Sequence, residues 1–360
     1  MDPLKMALIG CGNRGKSAYL PPIRKMKNHL HLVAVCDEQA EAAQSVGESE
    51  GVPHYTSVDE LIEKETLDLV CVVVNPNRNA DVALKLIDAD IHLMTETPIA
   101  TDLPDADRMI SAAQEKNVKL ETAENYYRRP TERIKRELIL SGIFGNVNTV
   151  YQDFVGHGYH GVGLIRSYIG FDIKATRVTG FTQDFTVQKH VFRAGQNPRD
   201  TENWQHGVIE FENGSRGIFS FSSLSYGSPL RWGRSKSIVR FYAENGMGVG
   251  EDLIILQSED QNRPITLERR TTTVEGQEVL DAYVADTDPE IAWENPLREY
   301  AMSEGEINVG SEILSIARAV SENIAPEYGA INGRIDREID LAMSQSWSND
   351  NQPVDLPLEY

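Results

Sequence analysis

The chain is poor in cysteine and in long apolar stretches. Its 360 residues include only three cysteines, Cys11, Cys36 and Cys71, without the spacing of metal ligands. An odd number of such thiols indicates reduced side chains and argues against a disulfide-stapled secreted protein. No apolar run approaches the roughly 20 residues that a membrane-spanning helix needs. The strand pattern starts directly after Leu4, so we expect no signal peptide. We therefore expect a cytoplasmic protein.

Positive charge is also scarce. The chain has 35 Lys and Arg against 55 Asp and Glu, a formal net charge of -20. Nucleic acid and anionic membranes attract basic surfaces, so we expect neither as a partner. The hydrophobic share of 40% is that of a globular protein, and the length favours two domains.

Short apolar runs alternate with amphipathic patterns over the first third of the chain, as in a parallel sheet wrapped by helices. The run Leu69–Val74 is apolar on both faces, which is typical of a central parallel strand. These patterns predict a doubly wound Rossmann domain over residues 1–125. The predicted strands are Lys5–Ile9, His31–Cys36, Leu69–Val74, His92–Thr95 and Lys119–Ala123, and the predicted helices are Gly15–Met26, Gln39–Glu50, Asp59–Glu65, Ala80–Asp88 and Leu103–Lys116.

Strand signals dominate after Pro130, and a turn at Glu212–Ser215 joins two alternating strands as in a hairpin. We predict an α+β domain over residues 126–360 with a large, open, mostly antiparallel sheet, so the whole chain is of the α/β class. We expect the last helix to pack back on the Rossmann domain, and Asp281–Glu306 to be solvated loop and surface helix. The predicted strands are Val147–Phe154, Ala175–Phe181, His206–Phe211, Gly217–Ser222, Ile238–Tyr242 and Leu253–Leu256, and the predicted helices are Pro130–Ser141, Ser311–Asn323 and Ile335–Trp347.

A glycine-rich motif, Gly10-Cys11-Gly12-Asn13-Arg14-Gly15, follows the first predicted strand and opens the first helix. Its first glycine permits a tight turn, its second lets the backbone approach a pyrophosphate, and its third allows close helix–strand packing. Asp37 ends the second strand, where a carboxylate accepts hydrogen bonds from adenosine ribose hydroxyls and repels a 2′-phosphate. The motif and the acid together predict NAD as the cofactor, in preference to NADP.

Further cofactor contacts are expected at the carboxyl ends of the strands, because ligands of doubly wound sheets bind there. The candidates in addition to Gly10, Gly12, Asn13, Arg14, Gly15 and Asp37 are Asn75, Pro76, Asn77, Glu96, Thr97 and Asn125.

Several short segments carry a resemblance to a known family. They are Pro76-Asn77, Glu96-Thr97-Pro98, Glu124-Asn125-Tyr126-Tyr127, the Gly142–Gly145 turn and the Asn213-Gly214 hairpin. In these segments, and nearly end to end, the chain resembles the glucose–fructose oxidoreductase / inositol dehydrogenase / MocA (Gfo/Idh/MocA) family. The resemblance implies an oxidoreductase with a Rossmann domain and a C-terminal α+β domain. It also implies a homodimer or homotetramer formed through the C-terminal sheet.

Two departures from that family concern its acid–base residues. Ordinary members have Glu-Lys-Pro at the strand end, and the lysine polarises the substrate oxygen and helps to move its proton. Thr97 stands there in this chain, and a threonine hydroxyl has no useful pKa near neutrality. Many members also carry D-x-x-x-H-x-x-D, of which this chain keeps His160 but has Gly156 and Gly163 in place of the aspartates.

Other residues near these positions are candidates for catalysis. His160 is our candidate base, because it matches the family histidine and a neutral imidazole suits proton transfer at pH 7. Tyr127, His157 and Glu96 are further catalytic candidates. The alternative is that the two histidines only stabilise a turn. We expect no metal, because H-x-x-H has no obvious third ligand. The substrate candidates are Tyr126, Tyr127, His157, Tyr159, His160 and Arg166, and sugar binding would also suit Trp204, His206, Tyr226, Arg231, Trp232 and Arg234.

Three functions remain open at this point. The first is an NAD-dependent oxidoreductase of carbohydrate metabolism that transfers hydride to or from a sugar, sugar acid or polyol. The second follows from a similarity to glycoside hydrolases of family 109, which have Glu-Val-Pro where this chain has Glu96-Thr97-Pro98. Those enzymes cleave glycosides with tightly bound, internally recycled NAD through oxidation, elimination, addition and reduction. The third is a non-catalytic NAD-binding sensor or regulatory protein.

Overall fold

The computed structural model describes residues 2–153, 156–192, 196–230 and 238–359. Its chain forms two compact units, each assembled from three separate stretches. The first unit comprises Met1–Pro130, Arg270–Ala282 and Glu294–Arg337, and the second comprises Thr131–Arg269, Tyr283–Trp293 and Glu338–Tyr360.

A six-stranded parallel sheet lies at the centre of the first unit. Its strands are β1 (Leu4–Ile9), β2 (Leu30–Cys36), β3 (His54–Tyr55), β4 (Leu69–Val72), β5 (His92–Thr95) and β6 (Leu120–Thr122). Their order is β3-β2-β1-β4-β5-β6, and all neighbours pair in parallel. The order reverses between β1 and β4, which is where a doubly wound sheet binds its ligand. The predicted Rossmann topology is therefore confirmed.

Helices follow the strands of this sheet. A π-helical turn at Gly15–Tyr19 leads into the first of them. They are α1 (Leu20–Lys25), α2 (Ala40–Glu50), α3 (Val58–Lys64), α4 (Pro76–Asp88) and α5 (Leu103–Glu115). Local sequence explains where two of them begin: Ser57 caps α3 by accepting from the backbone N–H of Glu60, and Asp102 caps α5 by accepting from that of Asp105.

A nine-stranded sheet dominates the second unit. The remaining strands of the chain are β7 (Val147–Asp153), β8 (Ala175–His190), β9 (Arg199–Phe211), β10 (Arg216–Ser222), β11 (Ile238–Ala243), β12 (Gly246–Val249), β13 (Asp252–Ser258), β14 (Gln261–Ile265), β15 (Leu267–Val274), β16 (Gln277–Ala285), β17 (Ile291–Glu294) and β18 (Val354–Asp355). The large sheet has the order β14-β13-β12-β11-β7-β10-β9-β8-β18, and β15-β16-β17 form a separate sheet. Only β7 and β10 pair in parallel in the nine-stranded sheet of the described chain, so the expected mostly antiparallel sheet is confirmed.

Glycines let helices approach one face of this sheet. The remaining helices are α6 (Pro130–Leu140), α7 (Gly158–Ile169), α8 (Ser223–Gly227), α9 (Glu304–Ser321) and α10 (Gly329–Ser348). A Cβ on Gly161 of α7 would lie 2.6 Å from the ring of Phe219, and a Cβ on Gly207 of β9 would lie 2.6 Å from the sulfur of Met343 in α10. None of the described helices is both long and apolar enough to cross a membrane.

The prediction for Asp281–Glu306 is wrong. This segment contains the end of β16, all of β17 and the start of α9 rather than solvated loop and surface helix. Tyr283, Trp293 and Leu297 are buried in it. The reason is that its acidic residues are interleaved with apolar ones, so the high average charge conceals a face that packs inward.

Candidate functional site

The three glycines of the motif after β1 have different surroundings. Gly10 has a φ of +104°, and a Cβ on it would lie 2.1 Å from the carbonyl oxygen of Val73. A Cβ on Gly15 would lie 2.1 Å from the carbonyl oxygen of Gly10 itself. A Cβ on Gly12, by contrast, would meet no described atom within 4 Å. The fold thus requires glycine at the first and third positions, whereas the second leaves a bare, exposed backbone that a phosphate can approach.

Asp37 lies beside this turn, at the end of β2. Its Oδ2 accepts a hydrogen bond of 2.7 Å from the backbone N–H of Cys11, and its Oδ1 accepts one of 2.9 Å from that of Gln39. A carboxylate has about four lone-pair sites, so each oxygen can still accept from a ribose hydroxyl. The side chain is half-buried. The predicted glycine motif and its acid are therefore adjacent in space.

An ion pair joins the glycine motif to the end of β5. The Nε of Arg14 lies 2.5 Å from Oε1 of Glu96, and the backbone N–H of Thr97 donates to Oε2 of Glu96 at 3.0 Å. The Arg14 side chain is 46% exposed and that of Glu96 is 11% exposed. The end of β5, where Thr97 stands in place of the family's lysine, thus has the guanidinium of Arg14 close by.

The segment after β4 places two predicted residues at the surface and one unpredicted residue in the interior. Asn75 and Asn77 are exposed at the start of α4, with Pro76 between them. The fully buried Asn79 donates from Nδ2 to the carbonyl oxygens of Glu96 and Pro98, both at 2.9 Å. Sequence reasoning missed Asn79, because its partners lie in a turn on the next strand.

Glu312 on α9 is a second residue that sequence reasoning missed. Helix α9 packs against β4, β5 and β6 within the first unit. The carboxyl group of Glu312 is fully buried, and neither oxygen has a hydrogen-bond partner among the described residues. Burial raises the pKa of Glu312 well above its usual value, and the charge of Glu96 adds to this, while Arg14 and Arg128 oppose it. Folding therefore favours the protonated form of the Glu312 carboxyl group.

The segment after β6 carries another buried acid. Burial raises the pKa of Glu124 to about 8, although the N–H of Tyr126 donates to its Oε1 at 2.9 Å and partly offsets the rise. Asn125 is half-buried. Tyr127 is only 1% exposed and stacks on Tyr328 with ring centroids 5.5 Å apart. Tyr127 thus packs in the core of its unit.

The start of α7 gathers rings in the second unit. The ring of His157 lies 5.1 Å from that of His160, 5.5 Å from that of Tyr159 and 5.4 Å from that of Tyr226. Phe221, at the end of β10, lies 6.2 Å from His157. We call these five residues the α7 aromatic cluster. His160 is 9% exposed, and His157, Tyr159 and Tyr226 are half-buried.

Other predicted substrate residues lie away from this cluster. Arg166 is 1% exposed and donates to the carbonyl oxygen of Phe171 at 2.8 Å. Trp204 and His206 stack with centroids 5.4 Å apart. Because side chains alternate along a strand, they lie on the face of β9 opposite to Gly207, which faces α10.

Three further sugar-binding candidates, Arg231, Trp232 and Arg234, lie outside the described residues. Within the described ranges, no three His, Cys, Asp or Glu side chains are grouped to hold a metal ion.

Two glycine substitutions separate binding from folding. We expect Gly12→Ala to leave the thermal midpoint nearly unchanged, because its Cβ enters open space, but to weaken NAD binding about tenfold or more. Gly15→Ala should cost about 1–3 kcal/mol of stability, because its Cβ overlaps the Gly10 carbonyl. Thermal unfolding and calorimetric titration with NAD measure both effects. Unchanged NAD affinity in Gly12→Ala would show that no phosphate approaches this backbone.

Glu312 should make the stability of the protein depend on pH. Its pKa is raised on folding, so the native state binds more protons than the unfolded state, and stability falls as pH rises above about 4.3. Glu312→Gln cannot titrate, so its stability relative to the wild type should rise with pH above that point, by at most about 1.4 kcal/mol per pH unit. Urea unfolding at pH 5 and pH 7 measures the gain. The exposed Glu63→Gln is the control, and an equal stability difference at both pH values would contradict a raised pKa of Glu312.

A family comparison agrees with this geometry. Residues 4–124 match the model of the Gfo/Idh/MocA family, described as an oxidoreductase family with an NAD-binding Rossmann fold. The chain is 23% identical over 231 residues to the putative oxidoreductase YteT of Bacillus subtilis, which is 62% of this chain and 50% of that protein. It is 28% identical over 161 residues to inositol 2-dehydrogenase of Salmonella paratyphi B, 44% of this chain and 46% of that one. The chain thus matches about half the length of these relatives.

Solved structures share the fold over the whole chain. Levoglucosan dehydrogenase in complex with NADH and levoglucosan has a TM-score of 0.73 and 17% identity, covering 99% of this chain and 100% of that one. The WlbA dehydrogenase of Bordetella pertussis, in complex with NADH and UDP-GlcNAcA, has a TM-score of 0.69 and 16% identity, with coverage of 99% and 100%. At these identities the likeness concerns the fold. The strand order, the glycine turn and Asp37 agree with the match over residues 4–124, so this part of the chain is similar to the NAD-binding Rossmann domain of the Gfo/Idh/MocA oxidoreductase family.

Proposed function

We propose that the protein is an NAD-dependent oxidoreductase that acts on a sugar, sugar acid or polyol. The observation that carries the proposal is the bare backbone at Gly12, together with the Asp37 carboxylate, which accepts a hydrogen bond from Cys11 in the same turn. A phosphate-accessible turn and a ribose-accepting acid are what a dinucleotide requires. The residues present therefore fit NAD.

The substrate class is supported by the relatives. They include inositol 2-dehydrogenase and two dTDP-3,4-didehydro-2,6-dideoxy-α-D-glucose 3-reductases, and the structural neighbours include enzymes crystallised with levoglucosan and with UDP-GlcNAcA. The α7 aromatic cluster suits such a substrate, because aromatic faces cover sugar rings while imidazole and phenol groups bond to hydroxyls.

The proposed roles follow from the chemistry of each group. NAD, when bound, supplies the hydride acceptor or donor at its nicotinamide. Gly12, Asn13 and Arg14 bind the phosphates, and Asp37 binds the adenosine ribose. Asn75, Pro76, Asn77, Thr97 and Asn125 are proposed to contact the rest of the cofactor, together with Glu96.

His160 is the proposed proton acceptor for the substrate hydroxyl. A neutral imidazole can accept a proton, whereas the hydroxyl of Thr97 cannot. His157 and Tyr159 pack around His160 and are proposed to orient it and the substrate. Glu96 is held by Arg14, so its proposed part is to fix that cation beside the cofactor.

The outer face of the second unit's sheet supports an assembly of identical chains. Phe181 is 41% exposed and Phe185 is 48% exposed on β8, next to the stacked Trp204 and His206 of β9. Apolar side chains grouped on an exposed sheet face favour an interface. We include a homodimer or homotetramer through this face in the proposal.

His160→Ala tests the assignment of the base. With a panel of sugars, sugar acids and polyols, we expect the wild type to form NADH with at least one substrate. His160→Ala should lose about 100-fold or more in kcat, because general base catalysis contributes that much, with NAD affinity unchanged. The exposed His31→Ala should behave as the wild type. Full activity of His160→Ala would refute the assignment.

The two other functions give different results in the same preparation. A glycosidase that recycles NAD should release stoichiometric NAD on denaturation after extensive dialysis, and should free an aglycone from a glycoside without net NADH. A sensor should bind added NAD and do neither. Net NADH formation from a free sugar contradicts both alternatives.

A further inference from the structure

The first turn of α7 lacks an acidic residue of its own. It consists of Gly158, Tyr159, His160 and Gly161. The N-terminus of a helix carries about half a positive charge, and an acid in the first turn is the usual way to match it. This matters here because the same turn carries His160, the proton acceptor of the proposed function, and begins beside His157.

Position 156, two residues before the helix, leaves no room for such an acid. A Cβ on Gly156 would lie 3.0 Å from the Cβ of His160 and 3.1 Å from the backbone nitrogen of Gly161. An aspartate at 156 would therefore displace His160. Gly158 has a φ of +43°, a conformation that side-chain-bearing residues rarely adopt. The chain thus passes close over His160 at Gly156 and turns sharply at Gly158.

A carboxylate reaches this turn from a distant part of the chain. Asp340 on α10 is 8% exposed and belongs to the same unit as α7. A Cβ on Gly158 would lie 2.7 Å from Oδ1, 3.2 Å from Cγ and 3.3 Å from Oδ2 of Asp340. The carboxylate therefore packs with both oxygens against the residue that begins α7. A side chain at 158 would push it away.

We infer that Asp340 is a positioning residue for the α7 aromatic cluster, holding the first turn of α7 in place and stabilising the imidazolium form of His160. Its negative charge complements both the helix N-terminus and a protonated imidazole. The inference rests on the proposed function only for the role of His160 as the proton acceptor.

The other described side chains that contact this turn are mostly uncharged. Tyr159 lies on α7, His157 directly precedes it, and on α8 the titratable neighbour is Tyr226. The strands β7 and β10 present the uncharged Gln152, Phe219 and Phe221 to it. Asp340 is thus the carboxylate that these described contacts place beside the turn.

Asp340→Asn removes the charge and keeps the shape. In the full-length protein without cofactor, we expect the pKa of His160, followed by NMR titration of its ring protons, to fall by about 0.5–1. The His160→Ala spectrum assigns the resonance. If a substrate is available, the acidic limb of the kcat–pH profile should move down by the same amount while the Kd of NAD stays unchanged. The exposed Asp350→Asn is the control and should shift neither.

The titration distinguishes this inference from the proposed function. A lowered pKa without NADH formation on any substrate leaves the inference standing and contradicts the function. Normal turnover with an unchanged pKa in Asp340→Asn overturns the inference alone. Asp340→Ser, which keeps a short side chain able to accept from a helix N–H, replaces the first variant if that one does not fold. Failure of both to fold also overturns the inference, because the carboxylate would then serve the unit's stability as a whole.

Discussion

The close approach of backbone to backbone in the turn after β1 is the constraint on which the cofactor site depends. The carbonyl of Gly10 lies where a side chain at 15 would be, and the carbonyl of Val73 lies where one at 10 would be. This packing draws the following helix down onto β1 and leaves the backbone at Gly12 bare. Because Asp37 is bonded to Cys11 in the same turn, the acid that selects the ribose is positioned by the same contact. Loss of the packing would therefore remove phosphate and ribose recognition together.

Buried charge surrounds this site and is mostly balanced within the first unit. Arg128, which is 1% exposed, lies 2.6 Å from Glu327 and 3.8 Å from the buried Glu121. Glu121 also accepts from Ser315 at 2.6 Å and from the backbone N–H of Gly329 at 2.9 Å. Ser315, Glu327 and Gly329 belong to a late segment of the chain, which thus completes the polar surroundings of Glu121 and Arg128 in the first unit. Glu312 has no hydrogen-bond partner among the described residues, and its burial raises the pKa of its carboxyl group well above the usual value.

Local patterns predicted what local physics determines. The Rossmann strands and the glycine turn could be predicted from the sequence, because each depends on residues within one strand–turn–helix unit. Asp37 could be predicted because an acid at the end of the second strand stands at a fixed place relative to that turn. The roles of Asn79, Glu312 and Asp340 could not be predicted, because the residues that surround them lie far away in the chain or on another element. The same holds for β16 and β17, whose buried face is hidden by interleaved acids and is defined only by the sheet they form. The roles of Thr97 and His160 stay predictions, since they depend on a bound substrate.

The central claim is that the turn after β1 and Asp37 hold NAD. Calorimetric titration of the purified protein with NAD and with NADP tests it most directly. We expect NAD to bind at least about tenfold more tightly than NADP, a difference of about 1.4 kcal/mol, because the Asp37 carboxylate accepts from a ribose hydroxyl but repels a 2′-phosphate. Equal affinity for the two, or no binding of either, would contradict it.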